Sequence, residues 1–389
     1  MKQYSKSFVL KISALLVSVT AVFTALAVSF VFLAAGFLGE APSFMKMHRI
    51  KQLIRLNYLE DYDADLLKEG AYYGMALTLG DPYSSYVSEK DMESLRESIS
   101  GEYVGIGVEV TVSQDSGLVT VISPIDGSPA DRAGLQTGDQ ILKMNDTDLS
   151  GMSLDDVVSL LRNGKEKEEI QLTVLRNGES LTVPVVRDHI VVHSAKGNMI
   201  SDHIGYIKLS SFDDTTKQEF STVLENLEQE GATSLVLDLR GNPGGTVDAA
   251  QSVADLFLEE GVFYCTRDKD GKKEYFYTDA EKDDIPMVVL INGGSASASE
   301  MLAGALQDRE RARLVGTTTF GKGIMQEYFP VDSKSMLKLT THEFLTPKEH
   351  GIHKKGITPD DTVEMDASVP LGDLEQDIQL QKAISILQE

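Results

Sequence analysis

A chain of 389 residues is longer than one hydrophobic core usually serves, and suits two or three domains. Its hydrophobic fraction of 42% is that of a globular protein, not a disordered one. A formal charge of −24 argues against a nucleic-acid partner, because a phosphate backbone is bound by clustered Lys and Arg. The single cysteine, Cys265, leaves no intramolecular disulfide and no cysteine-rich metal site, and its setting in Val262-Phe263-Tyr264-Cys265-Thr266 reads as a packed strand.

Ile12 to Leu38 is a run of 27 residues without a charge, preceded by Lys2, Lys6 and Lys11 and followed by Glu40. A helix of about 20 apolar residues crosses a bilayer, so residues 12–38 are expected to be a transmembrane anchor. The lysines before it place residues 1–11 in the cytoplasm and the rest of the chain outside. Ala34-Ala35-Gly36 also reads as a cleavage site, which would make the chain a secreted one. Residues 39–95 are expected to be a helical lead, with Ile50, Leu53, Ile54, Leu56 and Leu59, then Leu66, Leu67, Tyr72, Met75 and Leu77 at near-helical spacing. Gly80-Asp81-Pro82 stops the pattern, Tyr83 to Tyr86 reads as a turn, and Glu89 to Glu97 as a short helix.

From Gly101 the period becomes two: Val104, Ile106, Val108 and Val110 alternate, and Leu118 to Ile122 follows as a strand. Ser128-Pro129-Ala130 opens a short helix ending at Gly134, Leu154 to Leu161 a second, and Ile170 to Leu175 and Ser180 to Val186 form a last strand pair. This order, with SPADRAGLQTGDQIL, resembles a bacterial PDZ domain, assigned to residues 96–188. The resemblance implies capture of a peptide's carboxyl end by the loop of Gly105, Ile106, Gly107 and Val108, the peptide adding a strand to the sheet edge. Asn145-Asp146, where many relatives carry Asn-Gly, affects only a hairpin turn. A plainer reading keeps these glycines as turn residues.

Beyond residue 189 the pattern is α/β. Ser234 to Leu239 and Met287 to Ile291 are apolar throughout, as in a sheet covered on both faces. Each runs into a glycine-rich turn that opens a helix: Arg240-Gly241-Asn242-Pro243-Gly244-Gly245-Thr246, and Asn292-Gly293-Gly294-Ser295-Ala296-Ser297. Neither turn has a P-loop's lysine, which argues against a phosphate site. A serine on a strand-to-helix corner is exposed beside free amides, the logic of a nucleophile elbow. Ser297-Ala298-Ser299-Glu300 also has the form of a capping box, so Ser297 can be read as a helix cap. A serine nucleophile needs a base. Lys322, between glycines and near Phe320, Ile324 and Met325, is an apolar setting in which desolvation would favour the neutral amine. Histidine remains an alternative, although none of the seven lies in a glycine-rich or helix-capping context, and no third ligand makes His350 and His353 a zinc site.

The order of LVLDLRGNPGG, VVLINGGSASASE, TFGKGIMQ and KKGITPDDTV behind a PDZ module resembles the C-terminal processing peptidases, from about residue 48 to 389. The resemblance implies an α/β and β multidomain protein with a crotonase-like serine protease core over 189–389, cleaving proteins near their free C-termini. It makes Ser297 the nucleophile, Lys322 the base and Gln326, one helical turn on, its orienting partner. Ala298 with Gly244 or Gly245 would supply the oxyanion amides, and Ser295 and Ser299 would be bystanders. No metal or cofactor is implied. A homodimer through the lead helices and a regulatory envelope protein are further implications. Met325 and Asn292-Gly293-Gly294 depart from the family pattern without removing a functional group. The rival reading is an anchored PDZ adaptor or chaperone on a protease-like scaffold.

Overall fold

The computed structural model describes residue 24, then 42–389 apart from 114, 115, 126, 163, 280–282, 367 and 368. All but one residue of the expected anchor at 12–38 therefore lies outside the described residues. Among those that are described, no helix is long and apolar enough to cross a membrane. The chain divides into two compact units, residues 1–71 and 72–389. In the first, α1 (residues 42–57) leads through a short break to the start of α2 (Ala64–Leu77), whose last residues belong to the second, and Ile50, Leu53, Leu56, Leu59 and Leu66 are exposed.

The second unit starts by departing from expectation. Tyr83 to Tyr86 was expected as a turn, yet Ser85–Val87 is a strand, β1, with Tyr86 and Val87 buried. Its partner is β18 (Met336–Leu345), some 250 residues away, a pairing that no local pattern can announce. Helix α3 (Glu89–Ser100) follows, started by a reciprocal Ser88–Asp91 capping box and ended by Gly101 in the left-handed conformation.

The alternating run from Val104 to Val110 is not one strand. It breaks into β2 (Glu102–Gly105) and β3 (Val108–Val112), which belong to different sheets. The cause is Gly107 at φ +71°, where a Cβ would come within 2.4 Å of the Ser128 Cβ. Ile106 is buried and its carbonyl accepts from the Ala130 amide, so the kink is pinned from inside the module. Strand β3 heads an antiparallel sheet with β4 (Val119–Pro124), β5 (Gln140–Met144), β7 (Glu169–Arg176) and β8 (Glu179–Val186), the short β6 (Thr147–Asp148) pairing β5. The short helix α4 (Pro129–Arg132) and α5 (Leu154–Arg162) accompany this sheet, whose core holds Ile106, Val121, Ile141, Val157, Ile170 and Leu172. Among the described residues strand β3 pairs only β4, leaving its other edge open. Strand β2 pairs instead with β9 (Asp188–Val191), so this ribbon closes the module at both chain ends.

The remaining residues form the α/β core. Its six-stranded sheet runs β10 (Ala195–Met199), β11 (Ile204–Leu209), β12 (Ser234–Asp238), β15 (Met287–Ile291), β16 (Arg313–Gly316) and β19 (Asp361–Thr362), parallel except for β10. Every residue of β12 and β15 is buried, as their unbroken apolar runs predict. Helices α6 (Thr216–Gln229), α7 (Val247–Phe257) and α8 (Ala298–Asp308) supply Phe220, Phe257 and Leu302 to one core, and α9 (Ile378–Leu387) supplies Leu380 and Ala383 to another. A second sheet joins β1, β18, β13 (Gly261–Asp268) and β14 (Lys273–Thr278), with β17 (Ile324–Pro330) on β18. Cys265 is a buried residue of β13, and burial pushes its thiol up.

Arg240, fully buried at the end of β12, joins the sheet to α9. Its guanidinium donates to Asp238 at 3.0 and 2.7 Å, to Asp377 at 2.9 and 2.7 Å and to the Gln379 Oε1 at 2.9 Å. Removing the Asp377 carboxylate would leave Arg240 paired with Asp238 but take the acceptors from two of its buried N–H bonds, at a cost of about 2–5 kcal/mol in all. Asp377→Ala should therefore lose about that much stability in urea unfolding at neutral pH. A loss below about 1 kcal/mol would show that Asp238 alone can hold the guanidinium.

Candidate active site

Two strand–turn–helix corners stand side by side, β12 into α7 and β15 into α8, and hydrogen bonds from both turns lock them together. The Asn292 side-chain oxygen accepts from the Gly241 and Gly294 amides, both at 2.9 Å. The Ser295 hydroxyl donates to the Leu239 carbonyl (2.8 Å) and the Ser299 hydroxyl to the Asn242 carbonyl (2.9 Å). Both serines are fully buried, so they fasten the corner and are not available for attack.

Between them, Ser297 is the one residue of the 295–300 stretch that is not buried. It sits at φ +56°, ψ −117°, a conformation a non-glycine residue rarely adopts and one that sustained neighbouring contacts must impose. Gly244 lets those contacts happen: a Cβ there would lie 2.7 Å from the Ala296 carbonyl oxygen and 2.9 Å from the Ser297 Cβ. The Gly244 amide donates to the Asn242 side chain at 2.8 Å, whereas Gly245 faces the cavity beside Ser297. The Ala298 amide, at the first position of α8, has no partner within that helix.

The carboxylate of Glu300 ties this corner to the segment that carries the lysine. One oxygen accepts from the Ser297 and Lys322 amides, each at 2.9 Å, and the other from the Thr319 hydroxyl (2.6 Å) and the Gly321 amide (2.8 Å). Glu300 is fully buried. The Ser-x-x-Glu spacing signalled its capping half; the reach to Thr319, Gly321 and Lys322 had no signal in the sequence.

Ser297, Lys322 and Gln326 line one cavity of about 420 Å³, together with Gly245, Thr246 and Met325. Leu95, Ser98 and Ile99 of α3 form part of its wall, and none of the seven histidines or the loop residues 105–108 lines it. Lys322 is half-buried. Burial, then the nearby Lys338 ammonium, push its amine below the usual lysine range, against the pull of Glu300 and Asp81. Its Nζ lies 5.0 Å from the centre of the Tyr83 ring. Two expectations about this lysine fail. Phe320 does not enclose it, being 59% exposed, because the chain turns the aromatic ring outward and Tyr83 takes that place. Gln326 is not one helical turn on, because Ile324–Pro330 is a strand; a register shift between Met325 and Gln326 still leaves Gln326 lining the cavity. Among the described residues no hydrogen bond joins Ser297 to Lys322, and the Gln326 amide donates to the Thr340 hydroxyl at 3.3 Å. Catalytic contacts often tighten only around bound substrate.

The chain matches the Peptidase family S41 model over residues 203–363, a PDZ domain over 103–186 and the N-terminal domain of the activating protease CtpB over 35–91. It is 38% identical over 325 residues to a carboxy-terminal processing protease, CtpA, of Bacillus subtilis, covering 83% of this chain and 69% of that one. It belongs to this family. A probable CtpA-like serine protease of Staphylococcus aureus is 37% identical over 352 residues, 89% of this chain and 70% of that protein. Among solved structures, the photosystem II D1 C-terminal processing protease aligns with a TM-score of 0.52 at 29% identity, over 84% of this chain and 88% of its own. This chain is thus a serine protease of family S41 carrying a PDZ domain, as the motifs implied.

For this S41 peptidase, the Glu300 carboxylate generates a sharp expectation. In Glu300→Gln one of the two oxygens becomes an NH₂ group that faces at least one backbone N–H, so at least one of the four bonds is lost. The Ser297 and Lys322 backbones should drift by a fraction of an ångström to an ångström, lowering kcat/KM roughly 100-fold. Circular dichroism should show the same fold. Unaltered kcat/KM would mean that Glu300 is only a helix cap.

Proposed function

We propose that this S41 peptidase is a membrane-anchored endopeptidase that cuts protein substrates near their C-termini through an acyl-enzyme on Ser297. Neutral Lys322 takes the hydroxyl proton, Ser297 attacks a peptide carbonyl, and Lys322 returns the proton to the leaving amine before water releases the acyl group. The Gly245 and Ala298 amides are the oxyanion donors in this reading, since Gly244 already donates to Asn242; losing one such donor typically costs about 3–4 kcal/mol of transition-state stabilisation. Gln326 orients Lys322. The observation that carries the reading is the shared cavity of Ser297, Lys322 and Gln326, with Ser297 on a strained corner and burial acting on the lysine.

The free edge of β3 and the kink at Gly105, Ile106, Gly107 and Val108 support tail capture by strand addition, with carboxyl-terminal peptides as ligands. We extend this to control of cleavage, transmitted through the β2–β9 ribbon, where Gly105 pairs Asp188. Replacing residues 108–186 by a short Gly-Ser turn keeps that ribbon closed and should lower cleavage of a tailed peptide; unchanged cleavage counts against tail selection. The uncharged run at 12–38 supports a single-pass cell-membrane location with the catalytic part outside, a secreted form arising if that run is cleaved. A homodimer and a regulatory envelope partner extend the same proposal. Recovery of the intact chain in the soluble fraction after cell breakage would overturn the anchor.

With an unfolded protein such as casein, the wild-type chain should cut, and Ser297→Ala and Lys322→Met should not. Equal cutting by all three would remove the site assignment. Because Lys322 must be neutral to act, kcat/KM should rise with pH through its lowered pKa and reach half-maximum below about 10.4, the ordinary lysine value. A limb centred at or above that value would mean that Lys322 is not the base.

A further inference from the structure

Sixteen residues line the cavity around Ser297; two are lysines and none is Asp or Glu. In a chain with 60 acidic side chains and a formal charge of −24, that is a local reversal of sign. The second lysine is Lys338, half-buried in β18 between β1 and β17, opposite Ser85 and Tyr328. Alternation along a strand sends residues 338 and 340 to the same face, and Thr340 accepts the Gln326 amide there. Lys334, four residues earlier, is paired with Glu89 at 3.0 Å; Lys338 has no ion pair among the described residues. The carboxylates that act on the Lys322 amine are Glu300 and Asp81, both outside the cavity lining, and Glu300 already accepts four hydrogen bonds.

We propose that Lys338 forms a subsite for a carboxylate of the substrate within the catalytic cleft. A half-buried ammonium with no counter-ion, in a cavity without competing carboxylates, recovers an electrostatic partner only when an anion enters. The occupant is an Asp or Glu side chain of the substrate or a free C-terminal carboxylate, since peptides offer no other common anion. The inference rests on the reading of this cavity as the active site.

The test uses four peptides matched in all else: internal Glu or Gln, each with a free or an amidated C-terminus. Their affinities are measured on the full chain carrying Ser297→Ala, with and without Lys338→Met, and their kcat/KM values on the chain with Ser297 intact. Each carboxylate preference seated on Lys338 should be roughly three- to tenfold and should vanish in Lys338→Met. Lys338→Arg should restore it in part. Whether the Glu/Gln or the acid/amide preference depends on Lys338 identifies the source of the carboxylate, and a preference arising in the PDZ domain survives the substitution. If neither preference depends on Lys338, the subsite is overturned. A uniform loss of turnover with unchanged binding would also overturn it, reducing Lys338 to an electrostatic influence on Lys322. Cleavage by the Ser297→Ala chain would instead remove the catalytic reading, and the binding ratios would still decide the subsite.

Discussion

The active-site corner depends on one buried ion cluster. Arg240 lies two residues beyond Asp238, the end of β12, and sits between that Asp238 and Asp377 at the start of α9, with no access to solvent. Asp238 also accepts the Tyr206 hydroxyl at 2.7 Å, which brings β11 into the same cluster. Burial works against the guanidinium charge, yet the bonds from Asp238 and Asp377 raise its pKa above even the usual arginine value. Two planar carboxylates on one planar fork fix direction as well as distance. The chain therefore leaves β12 along one path only, and Gly241 to Gly245 begin from a fixed point.

From that point the site is assembled by backbone more than by side chain. The first turn supplies the Leu239 and Asn242 carbonyls that hold Ser295 and Ser299, and these hold Ser297 in its strained conformation. Strain of this kind persists only where the surroundings over-determine the residue. Here a glycine on one side and a buried carboxylate on the other do so. Glu300 then carries the constraint across to Thr319, Gly321 and Lys322, so nucleophile and base are referred to a single anchor although 25 positions apart in the chain.

Much of this was legible in the sequence, for a physical reason. An apolar strand, a glycine turn and a helix are consecutive, so the corner at Ser297 is a local feature and its pattern survives in a linear string. The two apolar strands β12 and β15 were legible on the same ground. What failed was long-range or register-dependent. The β1–β18 pairing joins residues about 250 positions apart, and Arg240 meets Asp377 across 137. Gln326 was placed on a helix because its four-residue spacing from Lys322 fits one turn; the strand reaches the same cavity through a register shift at Met325. Val104 to Val110 kept perfect alternation while Gly107 turned the backbone aside, since period alone does not register a positive φ. Tyr83 and Lys338 carry no motif at all and become visible only where the chain folds back on Lys322.

The electrostatics of Lys322 pose a problem that the fold resolves in a particular way. The Glu300 carboxylate, placed beside the lysine to hold its backbone, raises the pKa of the amine that must be neutral, and Asp81 acts in the same direction. A free carboxylate would hold the proton firmly. This one accepts four hydrogen bonds, two at each oxygen, which stabilises its charge in place and occupies its lone pairs. Burial of the lysine and the like charge of Lys338 work the other way, and the net displacement is downward. A general base and a rigid acidic anchor can then stand side by side because the anchor's charge is directed at amides and the base is set among apolar walls, an aromatic ring and a second cation.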